Sequence, residues 1–332
     1  MAKILITGAT GFLGSNLTRR LAEQGHNITI LVRNGSFHPF LEKLRINRVE
    51  GDVTDFDSLK NALRGIDVVY HCAGIVSYRR SDAGLMDVVN IGGTDNACRA
   101  ALESGVERFL YVSSTAAIGI PESPEHPADE RYPFHKKWLK IPYMQSKKTA
   151  EEKALSFVER GLNIVSANPS TFYGASDIKV STGDIFRKIN AGILKSAPPG
   201  GNGVIAIDDC VEGIIRTAEK GKTGERYILN GENLPFLEIF NTIARVLHKP
   251  PINKIMPRWL LGPAVGIAAA MGAVFPVIGA DPPISPELIK ISWSHRYFDA
   301  SKAAKELGWT PKISLEQACC EAVDFYKAIN AL

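Results

Sequence analysis

The chain has 332 residues, 45% of them hydrophobic and 22% charged, a composition typical of a globular protein of about two domains. The net charge of +4 is small and spread along the chain, so we expect no nucleic-acid partner. The five cysteines lack a Cys-x-x-Cys spacing, which argues against a disulfide framework and a zinc site. The start of the chain lacks a signal-peptide layout, so a cytoplasmic protein is expected.

The first chemical signal is a glycine-rich turn near the N-terminus. A short apolar run predicts a buried strand, three glycines follow at intervals of three, and Ser15–Glu23 has a helical pattern. In such a turn Gly8 lets the chain leave the strand, Gly11 leaves room for a diphosphate, and Gly14 lets the helix lie close. Free N–H groups at the helix N-terminus attract phosphates. We predict a dinucleotide site, with a ligand-free turn as the alternative.

The residues after the second predicted strand, Asn27–Val32, indicate which dinucleotide binds. A carboxylate there would accept the adenosine ribose hydroxyls, whereas an arginine suits a 2′-phosphate. Val32 and Arg33 stand at this position, which favours NADP over NAD. The alternative is that Arg33 is a solvated loop residue. Asp52 either lies beside the adenine or caps the helix that begins near Phe56.

Strands and helices alternate through the middle of the chain, which predicts right-handed crossovers and a parallel, doubly wound sheet. Val68–His71 is a strand followed by small residues that let the backbone pass close to a cofactor. We interpret His71 as a packed residue, not a catalyst. The helical segment Met86–Glu103 contains Asn90 followed by two glycines, at a cost of about 1 kcal/mol per glycine. That cost indicates close packing or a function.

A tyrosine and a lysine four residues apart carry the chemistry that we predict. The segment Tyr143–Arg160 has a helical pattern, and this spacing places Tyr143 and Lys147 on one face. A free phenol, with a pKa near 10, is a poor base at neutral pH, and a nearby ammonium favours the phenolate. A serine at the end of the strand Arg108–Val112 would complete a catalytic site. A surface Tyr–Lys pair is the alternative.

Together these residues resemble the extended short-chain dehydrogenase/reductases, the NAD(P)-dependent epimerase/dehydratase superfamily. The resemblance covers nearly the whole chain and is closest to the branch of dihydroflavonol reductases, 3β-hydroxysteroid dehydrogenases and hopanoid-associated sugar epimerases. The residues and segments that carry it are Gly8, Gly11, Gly14, Ser114, Tyr143, Lys147, Pro169, Ser170, 204–209, 224–233 and 303–311.

The resemblance implies an α/β fold, with a Rossmann-type doubly wound parallel sheet and a smaller, mostly helical C-terminal part that binds substrate. The dinucleotide-binding domain would be 1–170, with contributions from 204–230, and the substrate-binding part would be 171–332. Tyr143 would be the general acid/base, Lys147 would hold the nicotinamide ribose and lower the pKa of that tyrosine, and Ser114 or Thr115 would bind the reacting oxygen. No metal is implied.

The cofactor-binding residues that the resemblance implies extend from the glycine turn to the end of the sixth strand. They are Gly8, Thr10, Gly11, Phe12, Leu13, Gly14, Arg33, Asp52, Val53, Ala73, Gly74, Asn90, Tyr143, Lys147, Pro169 and Ser170.

Two departures bear on the substrate that the resemblance implies. Gly119 stands where nucleotide-sugar members often carry a tyrosine, and Val32 replaces the acid of many NAD-using epimerases. The first makes a sugar substrate less expected, and the second is typical of the NADP-using reductases. Because the late segment Trp259–Ala280 is apolar, we expect hydride transfer between NADP, or NAD, and a carbonyl or secondary alcohol of a steroid-, lipid- or flavonoid-like molecule. A nucleotide-sugar epimerase or dehydratase with tightly bound NAD is the alternative. A non-catalytic cofactor sensor is a third hypothesis.

The C-terminal part contains a glycine-rich and an apolar segment. Ala197–Gly203 reads as a mobile loop. Trp259–Ala280 has no charged residue and is long enough to span a membrane, but prolines and glycines divide it. We expect residues 257–281 to form an apolar lid over the substrate, in preference to attachment to a membrane surface or a membrane span. Apolar stripes on Met86–Glu103 and Tyr143–Arg160, the surfaces through which this superfamily commonly dimerises, predict a homodimer.

Overall fold

The computed structural model describes residues 1–36, 38–275 and 284–332. Its strands form two sheets. They are β1 Lys3–Thr7, β2 Asn27–Val32, β3 Asn47–Glu50, β4 Val68–His71, β5 Arg108–Val112, β6 Ile164–Pro169, β7 Thr171–Tyr173, β8 Gly201–Ala206, β9 Arg226–Leu229, β10 Glu232–Pro235 and β11 His295–Arg296.

The α-helices of the described residues alternate with the strands in the first half of the chain. They are α1 Phe12–Glu23, α2 Phe56–Ala62, α3 Ala83–Met86, α4 Gly93–Glu103, α5 Pro142–Ser156, α6 Asp184–Asn190, α7 Ile207–Lys220, α8 Phe236–Val246, α9 Leu261–Val274, α10 Pro286–Ser292, α11 Ser301–Leu307 and α12 Leu315–Ala328.

The larger sheet is parallel, with the strand order β3-β2-β1-β4-β5-β6-β9. Both of its faces are covered, because Ile4 and Ile6 point into one apolar core and Leu5 into the other. The chain moves outward from β1 in one direction up to β3 and then returns to β4 on the other side. This reversal leaves a crevice at the carboxyl ends of β1 and β4, where ligands bind in such sheets. The predicted Rossmann-type fold is confirmed.

The C-terminal part is helical but also contains the second sheet. In it β8 pairs antiparallel with β10 and parallel with β7 and β11. Helices α6, α8 and α12 pack around it and enclose a third apolar core, which includes Phe186, Ile243 and Val323.

The prediction of a mobile loop at Ala197–Gly203 is wrong. Ala197 is buried and forms a bridge to Ile255, and β8 is buried along its whole length. The glycines permit close approach to other chain segments. A Cβ on Gly201 would lie 2.7 Å from the Leu234 carbonyl oxygen, and one on Gly203 would lie 2.4 Å from Asn230 Oδ1.

Three helices that carry site residues differ from their predicted limits. Helix α1 begins at Phe12, so Gly14 lies inside it. The predicted helix Met86–Glu103 is interrupted by a π-helical turn at Asp87–Gly92, which contains Asn90. Helix α5 begins at Pro142, where a proline costs no hydrogen bond, and it continues as a 3-10 turn at Phe157–Arg160.

The apolar segment near the C-terminus forms helix α9, which follows a short 3-10 turn at Arg258–Leu260. Pro263 lies in its first turn, where a helix tolerates proline. Within residues 1–36, 38–275 and 284–332, no helix combines the length and the apolar character needed to cross a membrane. The rest of the predicted lid, from residue 276 to 281, lies outside the described residues.

Candidate functional site

The glycine turn between β1 and α1 has the geometry that its spacing predicts. Gly8 has φ of +70°, and a Cβ there would lie 2.6 Å from the Ala73 nitrogen. A Cβ on Gly14 would lie 2.2 Å from the Gly8 carbonyl oxygen, so only glycine allows the helix this close to the strand. A Cβ on Gly11 would meet that same oxygen at 3.2 Å and nothing else within 4 Å. The outer side of the turn is therefore open to a bound group.

The N-terminus of α1 faces this opening. Gly11 is the N-cap residue, and in the described part of the chain it has no side-chain hydrogen bond across the cap. The first N–H groups of the helix and its dipole therefore favour an anion such as a phosphate. Thr10 lies in the turn, and Phe12 and Leu13 begin the helix. The Phe12 ring packs edge-on against Phe172, with 5.2 Å between the ring centres.

Arg33 and Val53 lie at the end of the sheet expected to hold the adenosine. Arg33 follows β2 directly, and its side chain is exposed, so it is accessible to a ligand phosphate. Val53 is buried against Gly93, where a Cβ would lie 2.7 Å from Val53 Cγ2. That contact accounts for one of the two costly glycines after Asn90.

Asp52 does not cap helix α2. Its Oδ1 accepts hydrogen bonds from the Thr54 N–H and the Thr54 hydroxyl, both at 2.8 Å. Asp55 is the N-cap, and its carboxylate accepts from two N–H groups of the first turn. The capping alternative for Asp52 is therefore wrong, and Asp52 shapes the turn between β3 and α2.

Ala73 and Gly74 lie beside the glycine turn, because β4 is the neighbour of β1. Asn90 fixes the backbone just beyond them. Its Oδ1 accepts from the Ile75 N–H at 2.7 Å, and its Nδ2 donates to the Ile75 carbonyl at 3.0 Å. A Cβ on Gly74 would lie 3.3 Å from Asn90 Oδ1 and 3.9 Å from Lys147 Nζ. The small residues thus lie between the glycine turn and the predicted catalytic lysine.

His71 is a packed residue, as predicted. Its Nδ1 lies 2.8 Å from Thr7 Oγ1 and its Nε2 lies 3.3 Å from Thr94 Oγ1. Burial, together with the charge of Lys147, lowers the pKa of His71 to about 3. The imidazole is therefore neutral at physiological pH and takes no part in proton transfer.

Lys147 is buried one helical turn after Tyr143 on α5. Its Nζ donates to the Val112 carbonyl at 3.1 Å and lies 5.3 Å from the centre of the Tyr111 ring. Burial lowers the pKa of Lys147 to about 8, and the carboxylate of Glu151 opposes this shift. The ammonium is therefore held at the end of β5, with a pKa close to the physiological range.

Tyr143 is also buried, and in the chain alone its pKa is raised. Burial raises it most and Tyr78 raises it further, while the Ser114 side chain and the charge of Arg296 lower it. The expectation that Lys147, together with the positive charge of an oxidised cofactor, lowers this pKa stays a prediction. The Tyr78 ring packs edge-on at 5.4 Å from the Tyr143 ring. A phenolate here would need a further positive charge beside it.

Ser114 and Thr115 occupy different positions after β5. Ser114 is extended, and its Oγ accepts from the Ala116 N–H at 3.1 Å. Thr115 is buried at the start of a 3-10 turn, and its carbonyl accepts from the Ile118 N–H at 3.0 Å. Of the two side chains, that of Ser114 lies close enough to Tyr143 to lower the pKa of its phenol.

Pro169 and Ser170 follow from the end of β6. Pro169 is buried opposite Leu229, and the Ser170 N–H donates to the Leu229 carbonyl at 3.0 Å. The Ser170 hydroxyl is buried and has no hydrogen-bond partner among the described residues. A buried hydroxyl without a partner is costly, and a ligand group would satisfy it.

The buried carboxylate of Glu151 binds residues that support the site. Glu151 Oε2 accepts from Asn168 Nδ2 at 2.5 Å and from Ser166 Oγ at 3.0 Å, and Glu151 Oε1 lies 2.9 Å from Arg226 Nη1. Asn168 Nδ2 also donates to the Ser114 carbonyl at 3.1 Å. These residues were not predicted from the sequence. The one local signal was that Glu151 lies on the same helix face as Tyr143 and Lys147, one turn further along.

Arg296 and Tyr78 also reach Tyr143 and were not predicted. Arg296 comes from β11 and lowers the pKa of Tyr143 and of Tyr173. Its Nε is buried and lacks a hydrogen-bond partner within the described residues. Tyr78 and Arg296 lie 65 and 153 positions from Tyr143 in the sequence, so no local pattern indicated either residue.

The chain's own residues fit a nicotinamide dinucleotide. The open face at Gly11, the uncapped start of α1 and the partnerless Ser170 hydroxyl would hold its phosphates and nicotinamide end. Lys147 and Tyr143 lie at the same edge of the sheet, at the end of β5. When bound, such a cofactor accepts or donates hydride, and its oxidised form adds a positive charge beside Tyr143.

Comparison with known proteins places the chain among relatives over almost its full length. A model of the NAD dependent epimerase/dehydratase family matches residues 4–229. A Synechocystis protein named "Putative dihydroflavonol 4-reductase" is 35% identical over 97% of this chain and 94% of its own. Sterol demethylase protein B of Methylococcus capsulatus is 29% identical over 97% and 98% of the two chains.

Among solved structures, that of a protein named gox2253 is similar over 100% of both chains, with a TM-score of 0.86 and 31% identity. The family match runs from the second residue of β1 to the end of β9 and includes every predicted catalytic residue. The chain is a member of the NAD dependent epimerase/dehydratase family, within the extended short-chain dehydrogenase/reductases, whose members are NAD(P)-dependent enzymes.

Proposed function

We propose that the protein is an NADP(H)-dependent oxidoreductase that interconverts a carbonyl and a secondary alcohol on an apolar substrate, with Tyr143 as the acid/base. The observation that supports this most is the convergence of three side chains at the end of β5. Ser114 lies close enough to Tyr143 to lower the pKa of its phenol, and the Lys147 Nζ donates to the adjacent Val112 carbonyl at 3.1 Å. A hydroxyl pair beside a buried ammonium suits proton transfer to and from a substrate oxygen.

In the oxidative direction, Tyr143 as phenolate takes the hydroxyl proton while the carbinol carbon gives up hydride, and a carbonyl forms. Ser114 donates a hydrogen bond to the reacting oxygen and so orients it toward Tyr143. The positive charge of Lys147 would stabilise the phenolate form of Tyr143 in the loaded site. In the reductive direction Tyr143 returns the proton to the oxygen. The Asn168 bond to the Ser114 carbonyl holds the serine in its extended conformation throughout.

The preference for NADP rests on Arg33. Its exposed guanidinium follows β2, where an acidic residue would instead repel a 2′-phosphate. Arg33→Ala should raise the KM for NADPH at least tenfold while changing that for NADH little. A matched control is Arg64→Ala, which removes an exposed arginine elsewhere. If both cofactors were affected equally, the 2′-phosphate would not be the group that Arg33 contacts.

We propose that residues 171–332 form the substrate-binding region. The apolar substrate class rests on the apolar composition of this C-terminal part. Its segment 257–281 carries almost no charge, and one relative is named as a sterol demethylase protein. Turnover should therefore be found among steroid, lipid and flavonoid ketones or alcohols when these are screened with NADPH. Turnover of nucleotide sugars alone would contradict this class.

The direct test of the mechanism is Tyr143→Phe. We expect turnover to fall by at least about 100-fold, because proton transfer by a positioned acid/base contributes that much or more. Cofactor affinity, measured by fluorescence titration, should stay within a few-fold. Tyr132→Phe, which removes a partly exposed phenol from the loop before α5, is the control. Retained turnover in Tyr143→Phe would remove this residue from the mechanism.

One observation favours the alternative, a nucleotide-sugar epimerase or dehydratase with bound NAD. Arg296 is partly buried, its charge lowers the pKa of Tyr143 and of Tyr173, and its Nε lacks a partner in the described chain. A cation there suits an anionic substrate group. The alternative predicts that NAD remains bound through purification and that Arg296→Gln abolishes turnover of a nucleotide sugar. Free exchange of NADPH would oppose it.

We also propose a homodimer formed through the helices that carry Asn90 and Tyr143. Leu85 and Val88, just before and within the π-helical turn, expose 54% and 56% of their surface. Large exposed side chains on one helix are typical of an interface. Light scattering should give twice the chain mass, and Val88→Glu should reduce it toward that of one chain. A monomer at micromolar concentration would contradict the proposal.

A further inference from the structure

Helix α9 exposes an apolar surface that no described part of the chain covers. Ile267 and Val274 are 63% and 57% exposed, and the buried residue of the helix is Ala268, on the side that packs against α10. Ala269, Ala270 and Ala273 are exposed as well, so the exposed residues lie on several faces of the helix. A helix that is apolar all round belongs in a protein core or in lipid.

Basic side chains lie at the start of this helix. The Ala197 N–H donates to the Lys254 carbonyl at 2.9 Å, and the Met256 N–H donates to the Ala197 carbonyl at 2.8 Å. This pairing brings the exposed Lys195 near Lys254, and the exposed Arg258 follows four positions after Lys254, at the start of the 3-10 turn. Within the described residues, none of these three cations forms an ion pair with an acidic side chain.

Large apolar residues stand among these cations. Ile193, Ile255 and Trp259 are 66%, 53% and 73% exposed. Tryptophan next to basic residues, at the edge of an apolar surface, is the arrangement found where proteins meet the headgroup region of a bilayer. We name the set Ile193, Lys195, Lys254, Ile255, Arg258, Trp259 and the exposed residues of α9 the basic–apolar patch.

We propose that the basic–apolar patch docks the protein on the surface of an anionic lipid bilayer. A bilayer explains two features together. Lipid can surround all exposed faces of α9, whereas a second copy of the chain would cover one face and leave the rest in water. The cations match anionic headgroups, which attract basic side chains near such a surface.

The helix length fits surface docking. Fourteen residues at about 1.5 Å each give roughly 21 Å, less than the roughly 30 Å of a hydrocarbon core. Helix α9 therefore lies in the interface with Trp259 at headgroup level. The anchoring face is joined to the catalytic region, because α10 contributes Ile291 to the cluster that contains Met144, the residue after Tyr143. Docking itself does not depend on the proposed reaction.

The test is flotation of the full-length protein with two kinds of vesicle, phosphatidylcholine alone and phosphatidylcholine mixed with phosphatidylglycerol. We expect binding to the mixed vesicles that falls as salt is added, and much weaker binding to the neutral ones. The double variant Lys254→Glu/Arg258→Glu should bind at least about tenfold more weakly. Lys305→Glu, which reverses an exposed charge on α11, should bind as the wild type does.

The apolar part of the patch is tested by Trp259→Glu/Ile267→Glu, with Ile329→Glu on the C-terminal helix end as control. Only the first should lose binding, while both keep wild-type thermal denaturation, since the replaced side chains are exposed. The proposal is overturned if neither vesicle binds, if the controls lose binding equally, or if the first variant converts a lipid-free dimer to a monomer. In that last case a second copy covers the patch.

Discussion

Replacing Glu151 by glutamine tests whether the buried carboxylate sets the charge of the catalytic lysine. Glu151 lies one helical turn beyond Lys147 and is almost completely buried. It opposes the effect of burial, which brings the pKa of Lys147 down to about 8. Glutamine has nearly the same shape, so it retains an oxygen for Asn168 while removing the negative charge.

The magnitude follows from Coulomb's law. Side chains four residues apart on a helix have Cβ atoms about 6 Å apart, which at an effective dielectric constant of about 20 gives roughly 3 kcal/mol. This equals about two pKa units, and the dipole of the amide reduces the difference toward one. Lys147 is charged below its pKa and loses its proton as pH rises. Removing Glu151's charge therefore moves the alkaline loss of activity to a pH lower by about one to two units.

The assay is the pH dependence of kcat/KM for the reaction identified by the substrate screen, in Glu151→Gln and in a matched control. The control is Glu152→Gln, the next residue, whose exposed carboxylate pairs with Lys148 at 3.1 Å. Exposed pairs contribute little, so its alkaline limb should not move. The assay temperature must be well below the melting temperature, because Arg226 loses a buried counter-ion in Glu151→Gln.

The reasoning is refuted if Glu151→Gln lowers activity by the same factor at every pH. That result would give Glu151 a purely structural role, through its bonds to Asn168 and Ser166. An equal shift in Glu152→Gln would also refute it, since a remote exposed charge would then have the same effect.

Three local substitutions test the geometry of the fold by urea denaturation. Gly14→Ala would place a Cβ 2.2 Å from the Gly8 carbonyl oxygen and should cost about 1–3 kcal/mol, whereas Gly84→Ala enters open space and should not destabilise. A Gly14→Ala protein of wild-type stability would contradict the close approach. Asp55→Ala removes the N-cap of α2 and should cost about 1 kcal/mol; an unchanged midpoint would disprove the cap. Asn90→Leu leaves the Ile75 N–H without its partner and should cost about 1–3 kcal/mol, unless water replaces it.

The parts of the site that the sequence predicted are those encoded by short spacings. Three glycines at intervals of three fix a turn whose geometry depends on adjacent residues, and Gly8 and Gly14 have the roles assigned to them. The spacing of Tyr143 and Lys147 needs only the period of one helix. Such features can be predicted from the sequence because they depend on neighbouring residues and need no distant contact.

The supporting residues could not be predicted in the same way. Arg226 reaches Glu151 across 75 positions and Arg296 reaches Tyr143 across 153, so the contacts exist only once the sheets are assembled. The burial that raises the pKa of Tyr143 in the chain alone could not be predicted for the same reason. Spacing revealed the neighbouring ammonium but not the extent of burial, which is the larger influence.

Glycine-rich runs were the patterns from which local structure was hardest to predict. The run at Ala197–Gly203 was interpreted as a loop because glycine disfavours strands. In the structure Gly200 lies so close to the following segment that a Cβ would be 2.3 Å from the Ser294 carbonyl oxygen. Glycine there permits tight contact between backbones, a requirement that depends on residues about 90 positions later and leaves no local pattern.

The π-helical turn at Asp87–Gly92 sets the rotational phase between α3 and α4. A π turn holds one residue more than the α-helical turn it replaces, and each α-helical residue advances about 100° around the axis. Deleting one residue here would restore a regular helix, an outcome opposite to that of most helical deletions. It would also rotate Asn90 relative to Gly93. The hydrogen bond between Asn90 and Ile75 and the close contact between Gly93 and Val53 could then not both be kept. The segment therefore contains one residue more than a regular helix needs. Deleting that residue would make the backbone regular but would misalign the residues of the cofactor cleft.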